Sequence, residues 1–152
     1  FHPYYLKQYN NRWFVFGKNP LFENITNLAL DRLIDVEVLD KIFIETDLDF
    51  KEYFEDIIGV TFNEKKQATN IILRVDKSLW PYIETKPLHG SQKVIQKGEN
   101  YVDIKLELIP NYELESLILQ HGEKITVLEP STLSNKIQDR IQQLIKKYKC
   151  AE

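Results

Sequence analysis

Apolar and polar residues alternate over Pro3–Tyr9 and again over Arg12–Phe16, with Asn10-Asn11 between the two runs. Asparagine tolerates the positive φ that a two-residue turn demands at both central positions, so the stretch reads as a β-hairpin. In that register Tyr9 faces Arg12, Lys7 faces Phe14 and Tyr5 faces Phe16 on one side, while Leu6 faces Val15 and Gln8 faces Trp13 on the other. The second side is expected to be core-like and the first to mix rings with cations. Leu21–Thr26 reads as a loop, and residues 28–39 alternate as a third strand. Arg32 shares the parity of Leu28, Leu30, Ile34, Val36 and Val38. A desolvated guanidinium needs a partner, so Arg32 is either ion-paired with Asp31 or Asp35 after a bulge, or aimed at an anionic ligand.

Thr46–Gly59 carries capping residues, Phe50, Tyr53, Phe54 and Ile57 at helical spacing, and a stop glycine, which predicts a short helix with core aromatics. Asn63–Ala68 has no apolar period and marks a domain boundary. Beyond it the pattern predicts a strand over Thr69–Val75, a helix over Ser78–Thr85 with Pro81 in its first turn, and strands over Lys93–Lys97 and Tyr101–Ile109. A helix over Glu113–His121, a strand over Lys124–Glu129 and a long amphipathic helix over Ser131–Tyr148 follow. The order β-α-β-β-α-β plus a terminal helix is that of the split βαβ, ferredoxin-like arrangement, with helices on one face of an antiparallel sheet. The fold class expected is therefore α+β.

Composition narrows the function classes. The 152 residues are 43% hydrophobic, enough for a real core, and no apolar run approaches the roughly 20 residues of a membrane span. The single cysteine, Cys150, cannot close an internal disulfide, which fits a cytoplasmic protein. The chain starts at Phe1 and contains no methionine, as a piece of a longer protein would. Its net charge of −3 is uneven, with an acidic segment over residues 46–65. An anionic partner would therefore be held by a local cluster rather than by a uniformly basic surface.

No catalytic or metal-binding pattern stands out. His2, His89 and His121 are far apart, and no H-x-x-x-H, C-x-x-C, D-x-D-x-D-G or glycine-rich phosphate loop is present, so no cofactor is implied. What remains is binding chemistry. Tyr5, Lys7, Arg12 and Trp13 put rings beside cations, which suits a flat anionic ligand such as a nucleotide or an unstacked base. The loop Pro87–Lys93 offers His89, Ser91 and Gln92 within a few residues, and Arg74 lies on the polar parity of the neighbouring strand. Lys7 and Arg12 could equally be solvated heads, and Gly90 and Ser91 ordinary connector residues.

The run P-Y-Y-L-K-Q-Y-N-N-R-W-F-V-F-G, with Trp13-Phe14-Val15 where a Trp-Tyr-Leu tripeptide would stand, followed by Leu30-Asp31-Arg32-Leu33-Ile34, resembles the WYL domain of bacterial transcriptional regulators. The segment from Ile71–Val75 through L-H-G-S-Q-K-V-I to V-L-E-P-S and the final helix is similar to the WYL C-terminal extension, WCX. The resemblance implies a partial Sm/SH3-like barrel over residues 1–45, a helix and linker over 46–68, and a ferredoxin-like extension over 69–152. It implies a dimeric, ligand-sensing regulator that binds a nucleic-acid or nucleotide-like effector, and that reaches operator DNA through a helix-turn-helix not present in this chain. By position, Arg32 matches the arginine of the family's Leu-Asp-Arg-Ile strand, and Tyr5, Arg12 and Trp13 lie in its aromatic hairpin. Phe14 replaces the family tyrosine, and the first barrel strands would precede Phe1. Three strands cannot close a barrel, so a second copy of the chain is expected to cover the open edge. Two other classes stay open: a protein-interaction module whose arginines are structural, and a small-molecule hydrolase whose triad assembles only in space.

Overall fold

The computed structural model describes residues 1–62 and 67–149. Its chain divides into two compact units, Phe1–Glu55 and Asp56–Glu152. The first is built on a three-stranded antiparallel sheet of β1 (His2–Tyr9), β2 (Arg12–Lys18) and β3 (Ile25–Ala29), in that spatial order. The hairpin turn has φ 47° at Asn10 and 60° at Asn11, and it sets the expected register: Tyr9 opposite Arg12, Lys7 opposite Phe14, Tyr5 opposite Phe16. The turn's twist matches that of the flanking strands, which is why two asparagines suffice to align the ribbon.

The covered side of the hairpin is the opposite of the one expected. Helix α1 (Phe50–Glu55) brings its rings onto the Tyr5–Lys7–Phe16 side. Phe50 stacks on Tyr5 at 4.9 Å between centroids, Phe54 meets Phe16 edge-on at 4.8 Å, and Lys7 Nζ sits 3.7 Å from the Phe54 centroid. Phe16 is thereby 1% exposed, whereas Leu6 and Trp13 on the other side are 54% and 48% exposed. Hairpin alternation identifies two faces, but which is buried depends on what α1 places against it.

Two further expectations are corrected. The third strand covers Ile25–Ala29, not residues 28–39: Leu30–Arg32 forms a 3-10 turn in which Leu33 N–H donates to Leu30 O, and the chain leaves the sheet there. Residues 33–49 have no regular structure despite their alternation, and Ile34, Val36, Val38 and Ile42 are exposed. Alternation makes a strand only where a neighbouring backbone is available to pair with. The helix expected over Thr46–Gly59 shrinks to Phe50–Glu55. Asp49 Oδ1 accepts Lys51 N–H, Asp56 O accepts Ile109 N–H outside the helix ladder, and Gly59 turns with φ 83°. Of the expected boundary Asn63–Ala68, residues 63–66 lie outside the described residues, as does Cys150.

The second unit follows the expected order. Strand β4 (Thr69–Asp76), helix α2 (Trp80–Thr85), strands β5 (Lys93–Lys97) and β6 (Tyr101–Leu108), helix α3 (Tyr112–Gln120), strand β7 (Ile125–Glu129) and helix α4 (Ser131–Lys149) succeed one another. The sheet is antiparallel throughout, in the order β5-β6-β4-β7. Ile71, Leu73, Val75, Val102, Ile104, Leu106 and Leu108 point to one side and form the core with Ile83, Leu114, Ile118 and Leu133 from the helices. Period-two strands and period-3.6 helices thus meet on a single apolar layer. On α4, Leu133 and Ile137 are buried while Ile141, Leu144, Ile145 and Tyr148 remain exposed.

The start of α3 is tied to residues 58–61. Asn111 caps the helix by accepting Leu114 N–H and donates its amide to Ile58 O and Thr61 O. Glu113 Oε1 accepts from Val60 N–H, Thr61 N–H and Thr61 Oγ1. Both residues are buried, and these bonds satisfy the backbone of the incoming segment, as burial requires.

Candidate functional site

The hairpin tip and the 3-10 turn build a concavity in the first unit. β3 ends beside β2, with Phe14 opposite Ala29, so the next residues fall next to Arg12 and Trp13. Arg12 Nη2 then reaches Asp31 Oδ2 at 2.8 Å, pinning the turn to the tip. Asn10, Asn11, Arg12, Trp13, Leu30 and Asp31 line an open cleft of ≈ 370 Å³. Both members of the ion pair are about half exposed, so its contribution to stability is small, about 0–1 kcal/mol. Trp13 offers an exposed ring, while Arg32, exposed at the end of the same turn, is not among the residues that line the cleft. Chemically the cleft can stack a flat group and attract an anion, with Asp31 holding one arginine in place.

The remaining hairpin residues go elsewhere. Tyr5 and Lys7 are engaged by Phe50 and Phe54, so the structure separates them from Arg12 and Trp13. Arg32 does not occupy a strand among aliphatics, and the ion pair considered for it with Asp31 is made by Arg12 instead.

In the second unit, the loop between α2 and β5 is built from its own polar groups. His89 Nδ1 accepts Ser91 N–H at 3.2 Å and lies 2.9 Å from Ser91 Oγ, which in turn accepts Glu107 N–H. Gln92 Oε1 accepts Leu88 N–H, and its amide donates to Ile83 O. These three side chains hold the loop against α2 and β6. Arg74 lies apart from them on the open side of the sheet. Its Nε and Nη2 donate to the two carboxylate oxygens of Asp103 at 2.8 and 2.9 Å, and its guanidinium carbon is 3.8 Å from the Tyr101 ring centroid. The hydrogen bonds to Asp103 raise the Arg74 pKa further above its ordinary value.

With this geometry in view, comparison with known proteins assigns the second unit. The model of the WCX domain family matches residues 67–145, just over half of the chain. The chain belongs to the WCX domain family. Among solved structures, proteasome accessory factor B/C (PafBC) of Arthrobacter aurescens is similar, at 16% identity and a TM-score of 0.40, over 92% of this chain and 21% of that one. The chain thus spans about a fifth of that protein's length. No curated protein matches.

Within the WCX domain, the residues that position Arg74 escape a reading of motifs. Asp103 stands directly opposite Arg74 in the β4–β6 register, and Tyr101 stands opposite Asp76, one step along the same face. Neither signals binding until the two strands are paired. The same holds for Asp31 in the first unit, whose value lies in the turn that carries it to Arg12. Among the described residues no group of three or more His, Cys, Asp or Glu side chains converges on a metal site, and no helix is long and apolar enough to cross a membrane.

Proposed function

We propose that this chain is a non-enzymatic, ligand-sensing part of a cytoplasmic bacterial transcriptional regulator, and that its first unit takes a nucleotide-like or nucleic-acid effector at the hairpin tip. The observation that carries the reading is the convergence of Arg12, Trp13, Leu30 and Asp31 on one cleft, with Arg32 next in the chain. Trp13 would stack a base, and Arg12 and Arg32 would meet its phosphate. Tyr5 and Lys7 then act from behind, by anchoring the hairpin on α1. WCX membership supports the regulator assignment, and the aromatic hairpin with Leu30-Asp31-Arg32 supports a partial WYL barrel over residues 1–45, with a helix and linker over 46–68. The strand order β5-β6-β4-β7 supports naming residues 69–152 ferredoxin-like. The operator contact belongs to a helix-turn-helix elsewhere in the regulator, and His89, Ser91 and Gln92 are loop-forming residues in this reading.

The test is fluorescence anisotropy with labelled dinucleotides, comparing the chain with Arg32→Ala and Trp13→Ala. Binding that weakens with salt and is lost in both variants is expected; equal binding by all three proteins sinks the proposal.

A second reading has its own observation. Ile34, Val36, Val38 and Ile42 are exposed along one acidic, strand-patterned segment. Such a run invites pairing, so a second copy of the chain or another subunit would cover it. Association that persists at high salt, in Arg32→Ala as in the parent, would favour this interaction-module reading.

A further inference from the structure

The four-stranded sheet of the WCX domain ends on one side in an open edge. Strand β5 pairs with β6 alone among the described residues, and all five of its residues, Lys93 to Lys97, are exposed. The opposite edge strand, β7, has α4 packed against it. An edge strand presents a row of backbone groups without a ladder partner, and here apolar side chains accompany the row: Val94 is 44% and Ile95 50% exposed. Between Val94 and Gln96 the pairing with β6 shifts by one residue, so a bulge at Ile95 interrupts the alternation of the strand. Its two terminal lysines therefore rise on opposite faces. Lys93 stands opposite Lys105 on the open face, whereas Lys97 stands opposite buried Val102 on the helix-covered face, its Nζ 5.7 Å from the Trp80 ring centroid. Among the described residues Lys93 and Lys105 have no carboxylate partner, and Lys97 reaches Glu84 only at 3.9 Å, with both side chains more than half exposed.

We propose that the β5 edge is a docking site for an extended acidic segment of another protein, which adds beside it as a fifth strand. Three observations select that occupant. A ligand lying on either face of the sheet meets only one of the two terminal lysines, whereas the side chains of a strand laid along β5 alternate between both faces and bring carboxylates to each. Val94 and Ile95 lie between the lysines, so the segment carries apolar residues between its carboxylates. A second β5 is disfavoured by the same charges: antiparallel pairing of two copies about the strand centre sets Lys93 against Lys97 at both ends, and like charges at facing positions repel. The lysines thus turn away self-association and admit a partner of opposite sign, so one edge stays both protected and selective. The inference goes beyond effector binding and rests on no residue of the first unit.

The experiment measures fluorescence anisotropy of labelled, end-blocked peptides of about nine residues, within the usual range of strand lengths, on the full chain. The probe repeats glutamate-valine-valine, which places successive carboxylates on opposite faces of a strand. Binding of this peptide that weakens with salt is expected, and none by its lysine-valine-valine counterpart. N-methylation of the valines keeps every charge and removes backbone donors, and it should weaken binding by at least about tenfold. Lys93→Glu/Lys97→Glu exchanges two exposed side chains and should reverse the preference, losing the glutamate peptide and gaining the lysine one. That gain also shows that the variant is folded. No binding by the parent, equal binding of the N-methylated peptide, or an unchanged preference in the variant would each overturn the inference. A dimer of the parent in sedimentation that the variant dissolves would overturn it too, because a second copy would then occupy the edge.

Discussion

A Cβ placed on Gly59 would lie 2.5 Å from Cγ of Glu113. The glycine is therefore a docking point for α3 and not a helix stop. Its φ of 83° allows the chain to turn over Glu113, and that turn aims Val60 N–H and Thr61 N–H at the carboxylate. Gly59→Ala meets both a strained backbone and a buried side chain, and it should destabilise the chain by at least about 1–2 kcal/mol. Urea unfolding checks this; an unchanged midpoint would mean that the segment relaxes freely.

The aromatic cluster predicts the behaviour of the first unit. Phe16 is almost fully buried and meets Phe54 edge-on, so Phe16→Ala should cost about 3–5 kcal/mol. Trp13→Ala, on the exposed side of the same strand, should change stability by less than about 1 kcal/mol while removing the stacking surface of the cleft. Thermal unfolding of both variants beside dinucleotide binding separates the two roles.

What the sequence made legible follows from where its signals are local. Asn10-Asn11 determines the hairpin register, and strong periods with clear stops place β4–β7 and α2–α4 within a residue or two. Pro81 marks its helix start through backbone chemistry that needs no tertiary partner, whereas the cap that Asn111 gives α3 was not read from the sequence. The failures arise where a partner decides. Residues 28–39 have a strand's pattern, yet pairing ends at Ala29 because the Leu30–Arg32 turn carries the chain away. Leu6 and Phe16 lie on opposite hairpin faces, and only the placement of Phe50 and Phe54 reveals which face is covered. The candidate cleft was half legible for the same reason: Arg12 and Trp13 stand out as residue types, but Asp31 becomes the partner of Arg12 only in three dimensions.

Arg74 and Asp103 form a pair whose members depend on each other unequally. Asp103 is nearly buried and Arg74 half exposed, so removing the arginine strands a carboxylate whereas removing both does not. Arg74→Ala should lower the urea midpoint, and Arg74→Ala/Asp103→Asn should recover part of that loss. A double-mutant cycle by urea unfolding measures the coupling, and additive effects would show that the pair is not an energetic unit.

His121 gives the stability a pH dependence with a definite sign. It caps α3, and its ring lies 6.3 Å from that of Tyr82. Burial lowers its pKa below the ordinary value of 6.5, because the charged imidazolium loses water contact. The unfolded chain therefore binds the proton more readily than the native one, and stability rises with pH across that interval. The contribution is complete above about pH 6.5 and is lost as the pH falls through the lowered native pKa. Thermal midpoints of the parent should consequently drop between about pH 7 and pH 5 by more than those of His121→Gln, whose amide does not titrate in this range. Carboxylates elsewhere titrate in both proteins and cancel in the difference. Parallel curves for the two would assign the acid sensitivity to those carboxylates and leave the His121 ring without an energetic role.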